Sequence, residues 1–207
     1  MSTQQEQRRE RALSLGAPFG LKPEKVTLPL MAEDPENIKG LSVLARRAGA
    51  ASFAILLAQA LLEDEDNDDA RFETREKSKS YGVDYDMTPR EISLLHGDNG
   101  ERDLVDIVGT SESLAMVIWM LGGIAAPLDP TKPSDMDAVH GVVKTGGHIQ
   151  GLIEKANLPS PEEIATVIDL YRLYAEQGVG DAALVHARRV ALEWSLVRES
   201  DWLRVRF

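Results

Sequence analysis

Eight consecutive apolar residues occupy positions 114–121 of the chain. Because eight residues exceed two helical turns, apolar groups would face every direction around a helix, and such a helix has to be buried on all sides. We therefore predict a central core helix from about 101 to 122. Gly109 is expected to divide it, and Thr110 or Ser111 to cap its buried half.

The other apolar residues recur every three or four positions, which is typical of helices that cover a core. Thr88-Pro-Arg-Glu and Ser160-Pro-Glu-Glu are capping boxes with proline at the first helical position, so each marks a helix start. The predicted packing seam of the last helix contains Ala183, Ala187, Val190, Trp194 and Val197. The predicted helices span 5–15, 41–62, 70–81, 89–96, 101–122, 135–144, 148–156, 161–177 and 181–200.

No stretch of the sequence convincingly indicates a β-strand, although Val26, Leu28 and Leu30 alternate with other residues and favour an extended conformation there. The pattern thus predicts an all-α fold, a single globular domain of roughly seven to nine helices around a buried central helix. Within it, residues 1–34 are predicted to form an N-terminal helix and an extended arm, and residues 35–207 the helical core domain. Prolines and glycines interrupt 16–34, where no helical period is present.

Acidic residues outnumber basic ones, and the formal net charge is -11. Binding to nucleic acid needs clustered Lys and Arg, so no nucleic-acid partner is expected. The absence of cysteine excludes disulfides and thiolate catalysis and fits a cytoplasmic location. The apolar stretches 48–62 and 114–126 are shorter than the roughly 20 residues of a membrane span, so we expect core helices and no membrane partner.

Five segments carry a family resemblance through their order and spacing: 8–18, 45–48, 112–122, 162–174 and 189–194. Together they resemble a largely bacterial family catalogued as domain of unknown function 4272. The likeness extends over most of the chain. It implies a helical fold in a cytoplasmic bacterial protein, and it implies no reaction.

Polar residues lie beside the apolar seams of the last two predicted helices. If these helices pack together, acids and bases would converge in a partly buried cluster, where shifted pKa values and catalysis are possible. The catalytic candidates of such a hydrolase-type enzyme are Asp169, Glu193 and His186, with Arg172 or Arg189 holding an anion. The same spacing is typical of a structural ion-pair network, which is the interpretation we favour.

No metal site or cofactor is expected. Asp137 and His140 lie one helical turn apart, but a di-iron bundle needs acidic and histidine ligands on several helices. The acidic stretch 63–69 has Asp69 in place of the turn glycine of a calcium loop, and Arg75 in place of its bidentate glutamate.

The leading functional hypothesis is a cytoplasmic helical accessory or interaction domain rather than an enzyme. Its partner would be another protein or a second copy of the chain. Segment 202–207 supports this hypothesis because it contains both apolar and basic side chains and lies after the predicted packing seam of the last helix. The alternatives are the hydrolase described above and an acidic immunity-like or inhibitor protein. The candidate binding residues are Arg46, Arg172, Arg189, Trp202 and Phe207.

Overall fold

The computed structural model describes residues 3–26, 38–64 and 67–197. Within these ranges there is no strand, which confirms the all-α prediction. With the divided central helix counted as one element, the α-helices in the described part of the chain number nine, within the predicted range. They are α1 (Thr3–Gly16), α2 (Leu41–Glu63), α3 (Asp68–Tyr81), α4 (Pro89–His96), α5 (Glu101–Val108), α6 (Ser111–Met120), α7 (Met136–Gly146), α8 (Ile149–Lys155), α9 (Pro161–Gln177) and α10 (Ala182–Trp194).

Helix α6 lies in the middle of the fold, as its unbroken apolar run predicts. All of its residues from Glu112 to Met120 are buried. Helices α10, α2 and α7 pack around it, and Ser113 Oγ donates a hydrogen bond to the Ala187 carbonyl of α10 across 2.6 Å. The buried central helix is confirmed.

The chain divides between α5 and α6 at Gly109 and Thr110, as predicted, but the predicted capping is wrong. The Thr110 hydroxyl donates to the Ile107 carbonyl at 2.6 Å, and the Ser111 hydroxyl donates to the Val108 carbonyl at 2.6 Å. Both hydroxyls therefore close the end of α5 instead of accepting from the first amides of α6. The reason is that Gly109 keeps a right-handed conformation, so the backbone continues from one helix into the next without an extended cap residue.

Helix α2 is the longest of the described helices. By length and composition alone it could cross a membrane, yet 67% of its most apolar window is buried inside the protein. It packs against α3, α5 and α6. Gly49 permits a close approach, since a Cβ there would lie 3.0 Å from Val83 and 3.2 Å from the Tyr81 ring. In this fold α2 is a core helix.

The two predicted capping boxes are present. The Thr88 hydroxyl accepts from the Glu91 amide at 3.3 Å, and the Ser160 hydroxyl accepts from the Glu163 amide at 3.2 Å. Each glutamate also accepts from the backbone amide of its cap residue. Helices α4 and α9 consequently begin where the sequence predicts.

Helix α10 is shorter than predicted, and its predicted seam is buried only in part, at Val190 and Trp194. It ends at Trp194 instead of near 200, because the backbone amide of Lys39 donates to the Ser195 carbonyl at 2.8 Å and the Lys39 amine donates to the Trp194 carbonyl at 2.9 Å. Ala183 and Val197 of the predicted seam are exposed. The buried face is turned toward Arg188, which is fully inaccessible to solvent.

The N-terminal helix α1 packs alongside α9. Ala12 is fully buried in the shared core. After α1, the backbone of Lys22 exchanges two hydrogen bonds of 2.9 Å with the Gln177 side chain at the end of α9. Residues 27–37, which include the last eight residues of the predicted arm, lie outside the described residues, and the division at residue 34 stays a prediction.

Candidate functional site

Asp169, the first catalytic candidate, lies in the interface between α1 and α9 and is fully buried. Arg8 Nε donates to its Oδ2 at 3.2 Å, and Arg8 also lies 3.7 Å from Glu162. Burial raises the pKa of Asp169, and the charges of Arg9, Arg8 and Arg172 oppose that shift. The carboxylate therefore attaches α1 to α9 and has no access to solvent.

Glu193, the second candidate, joins α10 to α9. Arg172 Nε and one terminal nitrogen donate to its two oxygens at 2.7 Å each. Arg189 Nε lies 3.5 Å from the same carboxylate. A planar guanidinium that engages both carboxylate oxygens gives the strongest and most directional kind of ion pair. Both oxygens of Glu193 are thus already engaged by protein groups.

The remaining candidates are distributed over the molecule. His186 lies on the exposed face of α10. Arg46, on α2, pairs with Asp86 at 3.0 Å. Trp202 and Phe207 lie outside the described residues. The structure brings Asp169, Arg172, Arg189 and Glu193 together along α9 and α10, and it places Arg46 on a different helix, α2.

A second buried charge pair was missed by the sequence analysis. Arg188 is fully buried, and its Nε donates to Glu112 at 2.8 Å. Its terminal nitrogens donate to the Asp129 carbonyl at 2.7 Å, the Tyr171 hydroxyl at 2.9 Å and the Lys132 carbonyl at 2.6 Å. One side chain therefore fixes the connector between α6 and α7 against α6, α9 and α10.

Tyr171 completes this arrangement from α9. Its hydroxyl accepts from Arg188 and donates to the Pro127 carbonyl. Burial raises the pKa of Tyr171 to about 12, so the phenol keeps its proton and its role as a donor. The sequence did contain a signal for the Arg188–Glu112 pair. Glu112 stands at the start of the most apolar predicted helix, and a buried carboxylate there needs a cation from another helix or loop.

Among the described residues, no group of three or more His, Asp or Glu is arranged to hold a metal ion. His140 instead contacts the core, with its Nδ1 2.7 Å from Ser52 Oγ of α2. Burial lowers the pKa of His140, and the nearby charge of Asp137 opposes that change. This histidine is neutral near pH 7 and belongs to the packing between α2 and α7.

A cleft of about 720 Å³ lies between α1, the end of α6 and the first half of α9. Cavities that bind small molecules generally have volumes of roughly 300–1,000 Å³ and mostly apolar linings. The apolar residues that line this cleft include Trp119, Leu128, Leu158 and Val167. Trp119 is only 6% exposed, so its ring belongs to the wall of the cleft instead of projecting into solvent.

Gly122 allows this wall to form. Gly122 follows α6 with φ of 75°, a left-handed backbone conformation that residues with a Cβ rarely adopt. The Asn157 amide donates to the Leu121 carbonyl at 3.0 Å, and a Cβ on Gly122 would lie 1.9 Å from the Asn157 carbonyl oxygen. Only glycine lets the segment before α9 pack this closely against the end of α6.

Charged side chains of opposite sign line the cleft. Arg11 extends from α1, is exposed, and has no hydrogen-bond or ion-pair partner in its described surroundings. Glu163 of α9 accepts hydrogen bonds from the Ser160 amide at 2.7 Å and the Ser160 hydroxyl at 2.8 Å. These bonds lower the pKa of Glu163, so it stays charged at neutral pH. The cleft consequently combines an apolar wall with an unpaired cation and a partly engaged anion.

No curated protein and no solved structure matches the chain. The model of the family described as Domain of unknown function (DUF4272) matches residues 8–205. The match includes every residue that lines the cleft and both halves of the Arg188–Glu112 pair.

Proposed function

The chain belongs to the DUF4272 family, and from that premise we propose that it is a helical binding domain without catalytic activity, with the cleft between α1 and α9 as its recognition site. Its proposed setting is the cytoplasm of a bacterial cell. The proposed role is accessory: the domain binds a ligand or a partner and catalyses no reaction itself.

The cleft is the observation that carries this proposal. Its volume of about 720 Å³ suits a bound molecule or a short segment of a partner. Leu15 and Leu158 also line it, with 38% and 39% of their surfaces exposed. Covering apolar surface of this kind is favourable, at roughly 25 cal/mol for each Å² removed from water. An occupant that contacts these side chains would therefore be stabilised.

The burial and the hydrogen bonds of the two acidic catalytic candidates support a non-catalytic role. A general base must reach the proton that it abstracts with an available lone pair. Asp169 is fully buried against Arg8, and both oxygens of Glu193 accept from Arg172. Neither carboxylate lines the cleft. These groups are better explained as the connections that hold α1, α9 and α10 together.

A protein partner or a second copy of the chain remains part of the proposal. Such a partner would contact a surface that includes Trp202 and Phe207, both of which lie beyond the described residues. The cleft and this segment are separate elements of the hypothesis, and each has its own test.

The cleft can be tested with a neutral apolar dye and a pair of variants at one position. Ser14 is exposed on α1 and lines the cleft, so Ser14→Trp would fill the cleft without disturbing the core. Ser14→Ala is the matched control. We expect saturable enhancement of Nile red fluorescence with the wild type and with Ser14→Ala, and binding weakened about tenfold or more by Ser14→Trp. Circular dichroism checks that all three proteins are folded. Equal dye binding by folded Ser14→Trp would refute the proposed site.

A further inference from the structure

Three arginines of α1 have different surroundings. Arg8 and Arg9 are buried, with 2% and 8% of their surfaces exposed, and Arg8 pairs with Asp169. Arg11 is exposed and lines the cleft without a partner among the described residues. The chain has 34 acidic and 23 basic residues, so carboxylates are plentiful. An arginine that is left unpaired in such a protein, at the edge of an apolar cleft, is suited to bind an external anion.

The chemistry of Arg11 favours a carboxylate as that anion. The planar guanidinium matches the two oxygens of a carboxylate and donates two parallel hydrogen bonds to them. Ser14 follows three residues later, on the same face of α1, and also lines the cleft. The Ser14 hydroxyl and the side-chain amide of Asn157 have no hydrogen-bond partner within the described part of the chain, so both can donate to the bound group.

Glu163 restricts where an anion can lie. Its carboxylate is charged, and Ser160 occupies one of its two oxygens. Repulsion from this carboxylate disfavours an anion next to α9, whereas Arg11 attracts an anion toward α1. The apolar residues Trp119 and Val167 then remain available to the rest of the ligand.

We infer that the cleft binds a small molecule with an apolar body and one carboxylate. The carboxylate lies on Arg11 and Ser14, and the apolar body lies against Trp119 and Val167. This inference rests on the proposed function and adds the class of ligand to it. A medium-chain carboxylic acid has the required chemistry and fits within a cleft of about 720 Å³.

Three ten-carbon probes with different head groups test the inference: decanoate, decanol and decyltrimethylammonium. Each is titrated, below its micelle concentration and at fixed ionic strength, into the full chain with Nile red bound. We expect decanoate to displace the dye with an affinity about tenfold higher than that of decanol. Arg11→Gln should remove this difference by weakening the binding of decanoate. Arg102→Gln is the matched control, because Arg102 is exposed on α5 and does not line the cleft, and this variant should keep the difference.

The outcomes separate the inference from the proposed function. If decanol and decanoate bind equally well to the wild type, the cleft binds apolar molecules and the carboxylate inference is refuted. Tightest binding of decyltrimethylammonium would also refute it and would assign the head group to Glu163. If no probe displaces the dye and Ser14→Trp binds the dye as the wild type does, the proposed function fails as well.

Discussion

Arg188 of α10 donates its Nε hydrogen to Glu112 of α6 across 2.8 Å, and the two side chains are 0% and 10% exposed. The same carboxylate accepts from the Ser134 amide at 2.7 Å and from the Ser134 hydroxyl at 2.8 Å. Removing the carboxylate of Glu112 would leave the charge of Arg188 buried without a counter-charge, which is strongly destabilising. The pair makes the central helix, the last helix and the connector depend on one another.

Glu112→Gln should lower the free energy of unfolding by roughly 3–5 kcal/mol, because Arg188 would stay buried without its counter-charge. Urea denaturation measures this loss directly. Glu101→Gln is the control, since Glu101 is exposed on α5, and it should change the value by no more than about 0.5 kcal/mol. Equal stability of the two variants would contradict the structural role of the pair.

Glu193→Gln should lower stability by roughly 1.5–3 kcal/mol, the range for hydrogen bonds to charged groups, because the amide replaces a carboxylate that accepts twice from Arg172. Nile red binding in the cleft should be unchanged, since Glu193 does not line it. Chemical denaturation and dye titration of the same sample measure the two quantities. A variant that keeps its stability but loses a measurable hydrolytic turnover would favour the enzyme hypothesis instead.

Stability should fall as the pH drops from 7 to 5, in part through His140. Its ordinary pKa is 6.5, and burial lowers the pKa in the folded state. The unfolded chain therefore takes up this proton at a higher pH than the folded chain does, so acidification below about 6.5 favours unfolding. His140→Asn can keep the contact to Ser52 and should make the dependence shallower over this range.

Unfolding curves at several pH values test the His140 prediction. His96→Asn is the control, because His96 is exposed at the end of α4. That variant should keep the wild-type slope. An unchanged slope in His140→Asn would mean that other groups account for the acid sensitivity.

Gly122→Ala should destabilise the protein and disturb the cleft. The left-handed backbone alone costs about 1–3 kcal/mol for a residue with a Cβ, and the added carbon would lie 1.9 Å from the Asn157 carbonyl oxygen. Gly141→Ala is a contrasting control, because Gly141 lies within α7 and a Cβ there meets nothing within 4 Å. That change should raise the melting temperature, since alanine favours helix by roughly 0.5–1 kcal/mol over glycine. If both variants melt alike, the close contact at Gly122 is not needed.

Deleting residues 202–207 should reduce self-association or the capture of a protein partner. These residues lie outside the described part of the chain, and the expectation rests on their mixture of apolar and basic side chains. Light scattering measures the mass, and an affinity capture with the full chain as reference measures the partner. An unchanged mass together with unchanged capture would remove this segment from the proposal.

Local signals predicted the helices well. The capping boxes at Thr88 and Ser160 fix the starts of α4 and α9, because the required residues lie within four positions of one another. The burial of α6 also followed from one short stretch, since an apolar surface on every side leaves no face for solvent. In each case the residues whose interactions determine the structure lie close together in the sequence.

The charge pairs and the cleft depend on contacts between distant segments. Arg188 and Arg189 are adjacent, and only the position of Glu112 on α6, 76 residues away, decides that Arg188 is the buried one. Arg8 and Asp169 are separated by 161 residues. The cleft forms because α1 packs alongside α9 next to Trp119, and no periodic pattern encodes that arrangement.

The most direct test of the central claim is the indole N–H resonance of Trp119 in ¹⁵N-labelled protein during a titration with decanol, with Trp119→Phe used to assign the signal. If the cleft is the binding site, the Trp119 resonance should shift with saturation. The resonance of Trp194 should stay in place, because that ring is 1% exposed inside the core. A Trp119 signal that does not move while decanol displaces Nile red would contradict the account.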